Sequence, residues 1–401
     1  MFSTHAPAPP IPMRPAAGDA PDPLEAMLRR NVAALSGRRP DPGSFDHQYQ
    51  CGRDLDALAL HPGRPRGTKA VNLALMRLIQ PTRTAAAVIT AKNEGCYLLE
   101  YVAHQRAVGF EHVFIYTNDN SDGSDALLDA LGRTPFVTVI RNEVGRLASP
   151  QVKAYEHSIH LLRALRDFEW VSYFDADEFL IPAERHDYSV IDTIAALRRR
   201  HPGRGPSAVC YNWNVYGSEG QVHRRPGLVQ ERFRHSTVVR MFKSLVRLPD
   251  IDSMALIHMP GPDGLALVNA AFEPITVGLD CMADPPDPVH GTLSHYYQKS
   301  FEEFGVKSHR GRGGVPGGLE GKGLDTFFAW DVPATPATLN PASPRLLARV
   351  HQELAALQAV PEIADAAQAV EHTYCALSHR VNGDDLDARF HSWRAQFAPA
   401  P

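Results

Sequence analysis

FVTVIRNEVGRLASPQVKAYEHSIHLLRALRDFEWVSYFDADEFLIP, residues 136–182, places one helical pattern between two short apolar runs, FVTVI (136–140) and WVSYF (170–174). Unbroken apolar runs of this length suit strands covered on both faces. Between them Ser149 supplies an N-cap and Pro150 a first-turn proline. Val152, Tyr155, Ile159, Leu162 and Leu165 then recur every three or four residues and form one apolar stripe. Strand, helix, strand in this order requires a right-handed crossover and a parallel sheet.

Working outward, the same alternation continues through AAAVIT (85–90), HVFIYT (112–117) and AVCYNW (208–213). Ser121 is positioned to cap a helix whose buried side includes Ala126, Leu127 and Leu131. The expected fold is therefore α/β, with a mostly parallel sheet flanked by helices and with ligands at the carboxyl ends of the strands. LALMRLI (73–79) reads as a short helix, and two apolar helical patterns, 344–357 and 361–377, close the chain. The first 42 residues carry nine prolines and resist regular structure. These readings divide the chain into a disordered Pro-rich arm (1–45), a lead-in segment (46–82), one main domain (83–330) and a helical C-terminal region (340–397). There is no internal repeat.

Composition narrows the function classes. The 41 Lys and Arg against 45 Asp and Glu give a net charge of −4, which argues against a nucleic-acid partner. Five scattered cysteines, Cys51, Cys96, Cys210, Cys281 and Cys375, make neither a disulfide framework nor a structural zinc site. The first residues lack a signal-peptide core, and no stretch reaches the roughly 18 apolar residues of a bilayer span. The expected location is cytoplasmic, with peripheral membrane association still open.

The chemistry centres on Asp175, Ala176, Asp177 and Glu178, which follow directly on an apolar run. In extended chain Asp175 and Asp177 point to one side. Such a carboxylate pair suits a hard cation, Mg²⁺ or Mn²⁺, able to neutralise a diphosphate. A solvated acidic turn is the plainer reading. Thr90, Lys92, Asn93 and Glu94 end one strand, and Asn118, Asp119 and Asp122 the next. They are hydrogen-bonding groups suited to a nucleobase and ribose, although Ser121 and Asp122 equally suit turn and helix capping.

TAKNEGCYLLEYVAHQRAVGFEHVFIYTNDNSDGS, SPQVKAYEHSIHLL and EWVSYFDADEFL, taken in order, resemble the family-2-type glycosyltransferases of GT-A fold, in the subgroup akin to the family-92 enzymes. The resemblance runs over about 84–312. It implies a hexosyltransferase-like enzyme in which a nucleotide-diphosphate sugar lies across the strand ends and the DxD motif holds a divalent cation, with transfer to a saccharide or other hydroxyl acceptor by inversion. Surface-polysaccharide biosynthesis is the associated role. Thr90, Asn93, Glu94, Asn118, Asp119 and Asp175 would bind the donor, together with Gln151 and Lys153 at a helix N-terminus that favours anions. Lys153 equally fits as a surface side chain lying along the protein. The family often has Asp where this chain has Thr117 or Asn118, which weakens the nucleotide contact assigned there.

CYNWNVYGSEG (210–220) and GLVQERFRHS (227–236) look like acceptor-side segments. Trp213 and Tyr216 offer a stacking face, unless Trp213 is core. Glu231 is the preferred general base, with Glu219, Asp250 and Asp252 competing and with Arg232 or Arg234 as alternative partners for it. LSHYYQKSFEEFGVKSHRGRGG (293–314) resembles a closing motif. In it His295 would complete the metal shell with Asp175 and Asp177. Lys299, Lys307, Arg310 and Arg312, among glycines, read as a flexible basic loop, with Arg310 and Arg312 as the phosphate clamp. Two other classes stay in view. A nucleotidyltransferase lacks its Gly-rich basic loop here, and a catalytically silent nucleotide- or sugar-binding protein would have no need of both Asp175 and Asp177.

Overall fold

The computed structural model describes residues 50–60, 68–278, 280–318, 321 and 323–397. The Pro-rich arm expected over 1–45 lies outside them. Strands β1 (Gln50–Cys51), β2 (Arg83–Ala91), β3 (His112–Thr117), β4 (Val137–Asn142) and β5 (Phe168–Tyr173) pair in parallel in the order β1-β4-β3-β2-β5. All but β1 grow from the apolar runs. Strand alternation sorts their side chains: Ala85, Ala87, Ile89, Val113 and Ile115 enter one core cluster, and Ala86, Val88, Phe114 and Tyr116 the opposite one.

Helices α1 (Ala57–Leu60) and α2 (Thr68–Met76) precede β2. Helices α3 (Gly95–Ala107) and α4 (Ser124–Gly132) bury Leu98, Val102, Leu127 and Leu131 against the first face. Helix α5 (Pro150–His160) buries Ala154, Tyr155 and Ile159 against the second. The chain thus winds outward from β2 to β4 on one face and returns on the other to place β5 beside β2. That reversal opens a crevice at the carboxyl ends of β2 and β5, the position at which such sheets bind ligands.

Beyond β5 the sheet becomes mixed. β6 (Glu178–Pro182), helix α6 (Val190–Arg200), β7 (Ala208–Tyr216), the short helix α7 (Val229–Arg232) and β8 (Ser236–Arg247) follow in the chain. β8 lies antiparallel between β5 and β7. β9 (Ser253–Leu256) and β10 (Met259–Gly261) pair with each other, while β11 (Leu267–Asn269) and β12 (Pro274–Ile275) extend the sheet past β7. β13 (Gly291–His295) runs parallel to β7 and antiparallel to β6. The sheet remains mostly parallel, with this antiparallel insertion at its centre.

Helix α8 (Phe301–His309) starts on a capping box in which Ser300 Oγ accepts from Glu303 N and the Glu303 carboxylate accepts from Ser300 N. The stretch expected as a flexible loop is therefore helical as far as His309. After α9 (Asp325–Ala329) come α10 (Pro344–Gln358), α11 (Pro361–Asn382) and α12 (Leu386–Phe397). Leu346, Val350, Ile363, Val370 and Phe390 join the same core cluster as α3 and α4, so these helices complete the fold's own core. No described helix is long and apolar enough to cross a membrane.

Two local expectations need correction. Helix α5 ends at His160, and Leu162 and Leu165 are buried from the following 3-10 turn rather than from the helix. Ser121 caps nothing. Asp122 Oδ1 accepts from Ser124 N (3.1 Å) while its Oδ2 accepts from Gly95 N (2.8 Å), so one carboxylate ties the starts of α3 and α4. A Cβ on Gly95 would stand 2.7 Å from Val370 Cγ1 and 2.8 Å from Ser124 Cβ, so this junction of α3, α4 and α11 requires glycine.

Candidate functional site

A cavity of about 330 Å³ fills the crevice at the carboxyl ends of β2 and β5. Thr90, Lys92, Glu94, Asn118, Gln151, Asp175, Asp177, Trp213, His295, Arg310 and Arg312, all singled out in the sequence, line it. Its walls come from nine parts of the chain: the ends of β2, β3 and β5, the start of α5, the β7, β8 and β13 strands, the segment before β10, and the stretch from α8 to Trp330.

The acidic segment is a turn between β5 and β6, not extended chain. Asp175 and Asp177 nevertheless face one cavity, each held by a different element. Asp175 Oδ1 accepts from Lys243 Nζ of β8 (3.0 Å) and from Gln151 Nε2 of α5 (2.5 Å). Asp177 Oδ2 accepts from Lys307 Nζ of α8 (2.6 Å), with Lys299 Nζ at 3.9 Å. Burial alone would raise both carboxyls, but Lys243 lowers Asp175, and Lys307 with His295 carries Asp177 well below the ordinary range. Glu178 differs: burial, reinforced by Asp175 and Asp177, pushes its carboxyl well above the ordinary range, against the pull of Lys243 3.9 Å away. Glu178 Oε2 accepts from Asp175 N (2.8 Å) and braces the turn from behind.

The donor set fits a hard divalent cation in a restricted way. His295 Nε2 stands 3.6 Å from Asp177 Oδ1, beyond hydrogen-bond length. Two groups each about 2.1 Å from one ion can be that far apart. Among the described residues no three His, Cys, Asp or Glu side chains form a ready cluster. A cation here would rest on Asp177 and His295, with Asp175 across the turn, and would draw its remaining oxygens from substrate, as Mg²⁺ sites commonly do.

On the other wall Arg310 Nη1 pairs with Glu94 Oε1 and donates to Lys92 O (3.3 Å), while Arg312 is exposed. Gly313 O accepts from Gln151 N (3.0 Å) and Ser149 Oγ (2.9 Å), so the Gly-rich stretch after α8 is fastened to the start of α5.

Five expected site residues do not line the cavity. Asn93 braces the turn after β2, taking Ser121 N on Oδ1 (2.7 Å). Asp119 is exposed and accepts from Asn118 Nδ2 (2.9 Å). Lys153 is fully buried on the far side of α5, where its Nζ donates to Asp56 Oδ1 (2.7 Å) and Gly52 O (2.8 Å) and anchors the segment after β1. Tyr216 stacks on Tyr296 at 4.5 Å and donates to Asn340 O (3.0 Å). Glu231 pairs at the surface with His351 Nε2 of α10 (2.7 Å), not with Arg232 or Arg234. Of the competing carboxylates, Glu219 pairs with His235 (2.8 Å), Asp250 pairs with Arg204 (3.0 Å) and Asp252 accepts from Ser253 Oγ (3.2 Å), and none of the three lines the cavity.

Sequence reasoning missed Lys243, His258 and Trp330. A single lysine inside the apolar stretch FKSLV was the available signal for the first. His258 lines the cavity and contacts Trp213 edge-on at 5.2 Å. Its Nδ1 lies 2.8 Å from Phe242 O, a group that can only accept, so the proton sits on Nδ1 and Nε2 keeps the lone pair. Burial, aided by Lys243, lowers this imidazole to about 4 and keeps it neutral at physiological pH.

Residues 90–262 match the model of glycosyltransferase family 92. The matched span runs from the end of β2 through β10 and includes Asp175, Asp177, Lys243 and His258. A family-92 glycosyltransferase protein of Oryza sativa subsp. japonica is 30% identical over 125 residues, covering 29% of this chain and 20% of the relative. One of Ricinus communis is 30% identical over 128 residues, 29% of this chain and 22% of the relative. One of Arabidopsis thaliana is 29% identical over 89 residues, 22% of this chain and 14% of the relative. The chain is thus related to glycosyltransferase family 92 through its sheet region, and the matches span about a fifth or less of these relatives' lengths.

Proposed function

We propose that this protein transfers a sugar from a nucleotide-diphosphate donor to a hydroxyl of an acceptor, in a GT-A-like site. The observation that carries the reading is the meeting of Asp175 and Asp177 with Lys307, Arg310 and Arg312 in one cavity at the sheet's reversal point, inside or beside the region related to family 92. Cationic groups there suit a diphosphate, and the polar ends of β2 and β3, Thr90 and Asn118, suit the nucleoside.

In this reading Arg310 exchanges its contact with Glu94 for the diphosphate, and Arg312 adds a second guanidinium from the exposed side. Lys307 stays with Asp177 and brings positive charge to the side on which the leaving group gathers negative charge. A Mn²⁺ or Mg²⁺ held by Asp177, His295 and Asp175 would supply further charge neutralisation. Glu231, paired at the surface, is not placed to take the acceptor's proton. His258, neutral and lining the cavity, is the residue assigned to do so, through Nε2, and the displacement is read as inverting on the strength of the sequence resemblance.

The test is release of nucleoside diphosphate from a panel of UDP-, GDP-, ADP- and CDP-sugars, with and without Mn²⁺. The wild type is expected to turn over one nucleotide class, and Asp177→Asn to lose that turnover while keeping its melting temperature within a few degrees. No release from any donor, or full turnover by Asp177→Asn, would overturn the reading.

A further inference from the structure

Trp330 is a large aromatic side chain left 43% exposed at the mouth of the cavity. An aromatic ring set at a pocket rim offers a ligand a flat apolar face. Its position is built. The next residue, Asp331, is mostly buried and accepts from Ser218 N (2.6 Å) and Ser218 Oγ (2.8 Å). Beside it Gly217 runs so close that a Cβ there would stand 2.5 Å from Val332 O. The backbone carrying the indole is thus locked to the end of β7 while the ring stays in solvent.

Aromatic and apolar side chains share the lining with it. Tyr297 stands 6.1 Å from Trp330 at 44°, and Trp213, Met241 and Ile257 line the same cavity. Hydrogen-bonding groups edge it, with Lys307 Nζ 4.1 Å over the Tyr297 ring and Asp177 beyond. Lys92, Glu94 and Arg310 add charge to the same lining. A flat apolar face rimmed by polar groups matches a pyranose ring, which has an apolar C–H face and a hydroxyl edge. An alkyl chain would find no use for the polar rim.

We propose that Trp330 is the stacking platform of a saccharide subsite, holding the acceptor's pyranose ring next to the acidic turn. This rests on the transferase reading for the word acceptor, but not for the binding itself. It replaces the pair expected from sequence, since Tyr216 is committed to the core and Trp213 is 7% exposed.

The experiment uses the full chain and its Trp330→Ala and Trp330→Phe variants. Methyl glycosides of glucose, galactose, mannose and N-acetylglucosamine, with n-octanol as the apolar comparison, are titrated by ligand-observed NMR, with and without nucleoside diphosphate. Nucleotide-induced thermal shifts are recorded in parallel. Saturation of the ring protons of at least one glycoside is expected in the wild type, with roughly tenfold weaker binding in Trp330→Ala, recovery in Trp330→Phe and unchanged nucleotide shifts. No glycoside contact in the wild type, equal contact in Trp330→Ala, or a Trp330-dependent signal from octanol alone would overturn the subsite. Glycoside contact that depends on Trp330 without any nucleotide shift would uphold the subsite and count against the transferase reading. A nucleotide shift without glycoside contact would do the reverse.

Discussion

Lys307 Nζ lies 2.6 Å from Asp177 Oδ2 and joins helix α8 to the turn after β5 across 130 residues of sequence. Both partners are largely shielded, the Asp177 side chain being 5% exposed. The contact therefore counts for both stability and charge placement. Replacing Lys307 by Met would leave the carboxylate with its second lysine 3.9 Å away. We predict a loss of roughly 3 kcal/mol in urea unfolding, the cost of removing one partner of a buried ion pair, together with loss of any nucleotide-dependent turnover.

Gly95 shows how tightly the C-terminal helices belong to the fold. Its would-be Cβ meets Val370 of α11 at 2.7 Å. Gly95→Ala should destabilise by about 1 to 3 kcal/mol through overpacking, despite alanine's better helix propensity. Denaturant midpoints of the two proteins check the sign.

Glu231 and His258 make opposite predictions. Glu231→Gln removes an exposed pair with His351 and should leave stability within about 1 kcal/mol and turnover near wild type. His258→Gln should slow transfer by about a hundredfold or more while leaving donor affinity unchanged. Steady-state kinetics with the donor identified by nucleotide release separates the two; a slow Glu231→Gln with a normal His258→Gln would reverse the assignment.

Glu303 predicts the pH response of the fold. Burial alone would raise its carboxyl, but Arg232, with Nη2 at 2.7 Å and Nη1 at 2.9 Å, and the Ser300 cap bring it down to about 2 from the ordinary 4.5. The folded carboxyl is the stronger acid, so the unfolded chain binds the extra proton. The stabilisation is present above pH about 4.5 and is lost as pH falls through about 2. Unfolding free energies measured over that window should fall less steeply in Glu303→Gln than in wild type, even though that variant is weaker at neutral pH.

The parallel strands β2 to β5 were legible because each is a continuous apolar run and α5 announces its own start at Ser149 and Pro150, whereas the two-residue β1 left no such mark. The placement of Asp175, Asp177, Thr90 and Asn118 followed from strand ends, and that of Gln151 from a helix start, both local properties. β8 was not legible, since an antiparallel strand inserted beside β5 leaves no local mark of its direction. Lys243, His258 and Trp330 stayed hidden because their placement is set by contacts to Asp175, Phe242 O and Tyr297, from other parts of the chain, that no spacing encodes. Lys153 was misjudged because its position near a helix N-terminus does not reveal that its ammonium turns away to Asp56. Glu231 was misjudged because its partner comes from α10, 120 residues later.

The cavity at the ends of β2 and β5 is proposed to hold a nucleoside diphosphate. Calorimetric titration of the full chain with UDP, GDP, ADP and CDP, with and without Mn²⁺, decides this. Saturable binding of one of them to the wild type is expected, weakened at least roughly tenfold in Arg310→Ala and in Asp177→Asn, and unchanged in Glu231→Gln. Absence of binding by every nucleotide, or binding that ignores Arg310 and Asp177, would contradict it.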